Sequence, residues 1–157
     1  MLRHASDMPR EERLHMREGE GTVTLTAAFE KGDYAAPLRL FSRITLPAGA
    51  SIGYHVHEQE EEFYYILSGR GEMDDNGTPV TLQAGDATVT RSGQGHALRN
   101  TGSEPLEVLA VIALARTGLA SVIFMGVKHY RILLTKEEHE NRYQRLFLMT
   151  TSLKNEV

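Results

Sequence analysis

The stretch Gly49–Gly69, GASIGYHVHEQEEEFYYILSG, decides the fold of this chain. His55 and His57 stand two apart in a strand-forming segment, so both imidazoles leave the same face. Two neutral imidazoles on one side are what a divalent transition metal requires. Glu58-Gln59-Glu60-Glu61 reads as a four-residue turn, after which Glu62 opens the next strand. If the two strands pair, Glu62 returns to the level of the histidines and adds a carboxylate oxygen. Tyr64, two residues further on, shares that inward face and reads either as a core tyrosine or as a group that reaches a bound ligand.

Downstream, Gly85–Asn100 reads GDATVTRSGQGHALRN. Its glycines mark tight turns around a short loop, and His96 begins the following strand. One strand with His-x-His, a second with Glu and a third with His make a site of three nitrogens and one oxygen. Such a site leaves about two positions open on a six-coordinate metal for water or substrate.

Outward from these stretches, residues 22–115 carry short β-branched runs separated by turn residues, the pattern of a sandwich or barrel. The expected strands are Thr22–Ala28, Leu38–Leu46, Ser51–His57, Glu62–Leu67, Gly71–Asp74, Pro79–Leu82, Ala87–Thr90, His96–Arg99 and Leu106–Leu114. Asn76-Gly77 is a strong hairpin signal. Residues 1–21 are polar and read as an arm or disordered leader. Residues 116–157 read as a C-terminal extension, with strands at Ser121–Val127 and Tyr130–Leu134. A capping box at Thr135–Glu138 then opens a helix over about residues 136–149.

Composition narrows the function classes. The chain has 157 residues, enough for one domain with its own core. Its formal net charge is −4 and no Lys/Arg run stands out, which argues against nucleic acid or an anionic membrane as partner. There is no cysteine, so disulfides, thiolate metal sites and thiol nucleophiles are excluded. The N-terminus is charged throughout and no apolar run is long enough to span a bilayer, so a cytoplasmic protein is expected. Phosphate-binding loops, nucleophile elbows and a Ser-His-Asp arrangement are not evident. His4, His15, His129 and His139 stand alone and read as ordinary surface or core histidines.

The two motifs resemble those of the cupin superfamily. Gly49-x5-His55-x-His57-x4-Glu62-x6-Gly69 matches the first cupin motif at every defined position. Gly85-x5-Arg91-x-Gly93-x2-His96-x3-Asn100 matches the second, except that Arg91 stands where the family usually has proline. The resemblance implies an all-β jelly-roll barrel holding one divalent transition metal (Mn, Fe, Ni, Cu or Zn) through His55, His57, Glu62 and His96. It also implies a homodimer, with edge strands or terminal segments exchanged. Arg91 places a cation near the mouth of the barrel, where an anionic small molecule would meet it. Arg43, on the alternating strand Leu38–Leu46, is a further candidate anchor.

Function stays open at this stage among three readings. The first is a dioxygenase-like metalloenzyme for a small organic acid or phenol. The second is a metal-dependent isomerase or lyase. The third is a small-molecule binding or sensor module without turnover. Fold and metal site alone do not choose among them.

Overall fold

Alternating apolar residues and tight turns produce ten antiparallel strands in the computed structural model, which describes residues 1–115. They are β1 (Arg10–Leu14), β2 (Thr22–Ala27), β3 (Leu38–Leu46), β4 (Ser51–Val56), β5 (Glu60–Ser68), β6 (Arg70–Asp75), β7 (Thr78–Gln83), β8 (Ala87–Thr90), β9 (Gly95–Asn100) and β10 (Leu106–Leu114). They form a six-stranded sheet in the order β1-β2-β3-β10-β5-β8 and a four-stranded sheet in the order β4-β9-β6-β7. Two antiparallel sheets closing over one core are the jelly-roll architecture the sequence predicts. The expected C-terminal strands and helix lie outside the described residues.

The core follows from period two. On β10, Leu106, Val108, Ala110 and Ile112 are buried, and on β5 Glu62, Tyr64 and Ile66 share the same inward face. Ile44 and Leu46 of β3, Ile52 of β4, Met73 of β6 and Leu98 of β9 close the interior. The Asn76-Gly77 signal is realised as the two-residue connection between β6 and β7, where Asp75 pairs with Thr78. Both turn residues have positive φ, 51° and 91°, which is the backbone such a turn demands.

Three expectations need correction. The polar leader is not disordered throughout, because β1 pairs with β2 from Arg10↔Thr26 to Leu14↔Thr22. All five β1 side chains are exposed, so no apolar periodicity announced the strand. The leader then crosses β4 so closely that a Cβ on Gly19 or Gly53 would collide with the Ser51 or Arg17 carbonyl oxygen. Second, β5 begins at Glu60, so the expected four-residue turn is shorter. Third, β4 and β5 do not pair. β4 pairs with β9, while β5 lies in the other sheet between β10 and β8.

Two bulges matter for the site. Between Ile52 and His55, β4 spends three steps where β9 spends two, from Leu98 to His96. The extra residue brings His55 inward beside Ile52, at odd rather than even spacing. Between Leu40 and Leu38, β3 spends two steps where β10 spends one, from Ile112 to Ala113, which leaves Arg39 as the inserted residue.

Candidate metal centre

The four-stranded sheet supplies three imidazoles. His55 and His96 face each other in register on β4 and β9. His57 follows the end of β4, where its N–H donates to the Gln94 carbonyl and its carbonyl accepts from the Gly93 N–H. The six-stranded sheet supplies the carboxylate, in the cross-strand row Leu40–Ile112–Glu62–Thr90. Glu62 therefore meets the histidines across the barrel interior, not along a shared ladder. His57, Glu62 and His96 are buried, and His55 is partly buried.

The ligand-type atoms of all four residues lie within 4.8 Å of one another. Glu62 Oε2 is 2.9 Å from His96 Nε2, 3.1 Å from His57 Nε2 and 3.9 Å from His55 Nε2. His57 Nε2 and His96 Nε2 are 3.1 Å apart. Adjacent ligands on a six-coordinate ion with bonds of roughly 2.1 Å lie about 3.0 Å apart, so these spacings fit one cation.

The outer nitrogens explain why the inner ones converge. His55 Nδ1–H donates to the Gly53 carbonyl at 3.0 Å, and His57 Nδ1–H donates to Glu60 Oε1 at 2.8 Å. His96 Nδ1 pairs with the Thr90 hydroxyl at 2.9 Å. A carbonyl and a carboxylate only accept, so they fix the Nδ1–H tautomer of His55 and His57 and turn their Nε2 lone pairs inward. Glu62 Oε2 is buried and, among the described residues, receives no well-aligned hydrogen bond. Imidazole lone pairs packed against that oxygen repel one another unless positive charge lies between them. The donor set and its orphaned oxygen thus fit a divalent ion held by nitrogen and oxygen ligands.

Burial would raise the Glu62 carboxyl, but the neighbouring His57 and His96 outweigh it and hold it at about 2. Burial lowers His57, yet Glu62 and Glu60 beside it leave it above the ordinary imidazole value. For His55, burial wins and the imidazole is pushed down.

The remaining sequence candidates fall in different places. Tyr64 is buried with its ring stacked on His96, centroids 5.1 Å apart and planes 24° from parallel. Burial and the Glu62 charge push its phenol well above the usual value. Arg91 is exposed on the loop between β8 and β9, where its backbone N–H donates to Gln94 Oε1 at 3.0 Å. Arg43 emerges from β3 between buried Ser42 and Ile44, on the opposite face, 3.7 Å from Glu107. The fold does not bring Arg43 to the cluster. Glu60, Thr90 and Arg39 were missed. Glu60 shares the parity of Glu62, a period-two signal that its placement in a turn concealed.

A two-sheet antiparallel barrel with three histidines and one glutamate clustered inside it defines a class of small barrels whose donor set is able to hold a metal ion. The family model of the cupin domain matches residues 42–112. The oxalate-binding protein of Thermotoga maritima is 44% identical over 114 residues, 73% of this chain and 94% of that protein. The chain belongs to the cupin family. The crystal structure of a predicted oxalate decarboxylase from Thermotoga maritima superposes with a TM-score of 0.70 at 44% identity, covering 73% of this chain and 99% of that one. The polyketide cyclase RemF of Streptomyces resistomycificus shares the fold at 18% identity, with a TM-score of 0.61 over 74% of this chain and 80% of its own.

Proposed function

We propose that His55, His57, Glu62 and His96 hold one divalent transition metal and that this centre binds a small carboxylate of the oxalate class. The convergence of the Nε2 atoms on the orphaned Glu62 Oε2 carries the metal reading. The substrate class comes from the Thermotoga maritima relative, named an oxalate-binding protein. When bound, the metal supplies a Lewis acid that polarises a carboxylate or carbonyl oxygen. The chain's own residues orient the imidazoles, exclude water with the core around Ile52, Met73 and Leu98, and set the Tyr64 ring against His96. Arg91 would meet the anion from the loop.

Turnover is the finer part of the proposal. A dioxygenase-like or decarboxylating reaction on such an acid predicts oxygen uptake or carbon dioxide release that stops when metal is removed. An isomerase or lyase converts its acid with neither. A binding module predicts saturable, metal-dependent oxalate binding without product. Elemental analysis after dialysis, followed by calorimetric titration of oxalate into metal-loaded and metal-free protein, tests the shared core. About one metal per chain with oxalate heat only in the loaded protein supports it. Oxalate binding to the metal-free protein with the same affinity overturns it.

The reading extends to a homodimer. Phe63, Tyr65 and Leu67 on β5 and Val89 on β8 leave apolar side chains exposed on the outer face of the six-stranded sheet, with Phe63 directly opposite Val89. A second copy covering that face is the proposed arrangement, and a monomeric mass by light scattering would remove it.

A further inference from the structure

The three histidines are anchored in three different ways. His55 leans on a backbone carbonyl of its own strand and His96 on the buried Thr90 hydroxyl. His57 leans on a carboxylate, and that carboxylate is itself held. Arg39 Nε and Nη2 each donate to Glu60 at 2.6 Å, one to each oxygen. A fork on both oxygens fixes the plane of a carboxylate as well as its position, which a point charge does not do. Arg39 is aimed there by the backbone, as the inserted residue of the β3 bulge opposite Ile112 and Ala113.

A plain ion pair is a poor explanation for this arrangement. The Arg39 side chain is 46% exposed, and pairs of that kind contribute little to stability. The Glu60 side chain is only 13% exposed and shares Oε1 between Arg39 and His57. Without the fork, the Glu60 carboxylate is free to turn toward water, and His57 loses both its fixed tautomer and its added basicity.

We propose that Arg39 is a positioning residue of the metal centre, acting through Glu60 on His57. This inference rests on the proposed metal site. The test measures the affinity of purified full-length protein for Co(II) by competition with a chromophoric chelator, together with the Co(II) visible spectrum and the melting temperature of the metal-free protein. Glu60→Gln is expected to weaken Co(II) binding about 10–100-fold, the range for outer partners of metal ligands. Arg39→Gln is expected to weaken it by about tenfold and Arg39→Lys by less, with altered Co(II) spectra and metal-free melting temperatures close to wild type. The double variant Arg39→Gln/Glu60→Gln should bind no more weakly than Glu60→Gln alone, because Arg39 acts only through Glu60. Affinity of Arg39→Gln within about twofold of wild type, or fully additive losses in the double variant, would overturn the relay while leaving the metal centre standing. Wild type that takes up no Co(II), or His57→Ala that keeps it, would overturn both.

Discussion

The two sheets contribute unequal things to the same cluster. The four-stranded sheet gives the three imidazoles, two of them in register on β4 and β9. The six-stranded sheet gives the single carboxylate, and also Thr90 and Glu60, which hold the outer nitrogens of His96 and His57. The nitrogen donors therefore sit on one wall while most of what orients them sits on the other. Neither wall makes a site alone. A cation at the centre would tie the sheets together, so metal binding and barrel stability should be coupled.

The sharpest way to break this comparison is to remove one wall's donor. His57→Ala or His96→Ala should reduce bound metal from about one per chain to none, measured by elemental analysis after dialysis. The same variants should lose the metal-induced rise in melting temperature, which in wild type at saturating metal should be on the order of 10 °C. Metal retained in either variant would show that the four-stranded sheet is not the nitrogen wall.

Removing the opposite wall's donor comes next. Glu62→Gln keeps the volume but surrenders the charge, and should weaken metal binding by more than about 100-fold, beyond the range for outer partners. Equilibrium dialysis against a buffered metal series measures it. A loss smaller than that of Glu60→Gln would reverse the assigned roles of the two carboxylates.

A milder effect concerns acid. The folded value of Glu62, about 2, lies below the roughly 4.3 of an unfolded glutamate, so its contribution to stability is present above about pH 4.3. That contribution fades as pH falls toward 2. Metal-free wild type should lose denaturant resistance over this window more steeply than metal-free Glu62→Gln, and parallel curves would show that the interior charge pairing is not felt. The smallest effect expected is that of Tyr64→Phe. It keeps the ring stacked on His96, should leave metal content unchanged, and should alter stability by about 1 kcal/mol in a urea melt. Metal loss in this variant would place the phenol among the ligands.

The clustering of His55, His57, Glu62 and His96 was legible because spacing carries it. His55 and His57, Glu62 before Gly69, and His96 after Gly93 form two motifs whose order survives without any knowledge of pairing. The β3, β8 and β10 boundaries were also legible, since apolar alternation ends there at turn residues. The partnering was not. Nothing local tells β4 that its neighbour is β9, because that pairing closes a long loop and is decided by the whole core. The two bulges were hidden for a similar reason, since an inserted residue is defined only against its opposite strand. Glu60 and Arg39 were lost with them, 21 positions apart in sequence and joined only by the fold.

The edge strand β1 has a consequence for how copies of the chain meet one another. Among the described residues it ends the six-stranded sheet and pairs on one side only, so its outer backbone groups offer a template for another strand. Behind it runs Thr22–Ala27, TVTLTA, uncharged and rich in strand-forming residues, which would make an adhesive rim if it were bare. Instead the rim is Arg10-Glu11-Glu12-Arg13-Leu14, four charges in five exposed positions. Stacking two such rims would set charged, hydrated side chains against their copies at strand spacing, which discourages runaway growth of the sheet from molecule to molecule. The polarity that made this segment look like a loose leader is thus what lets the sheet stop.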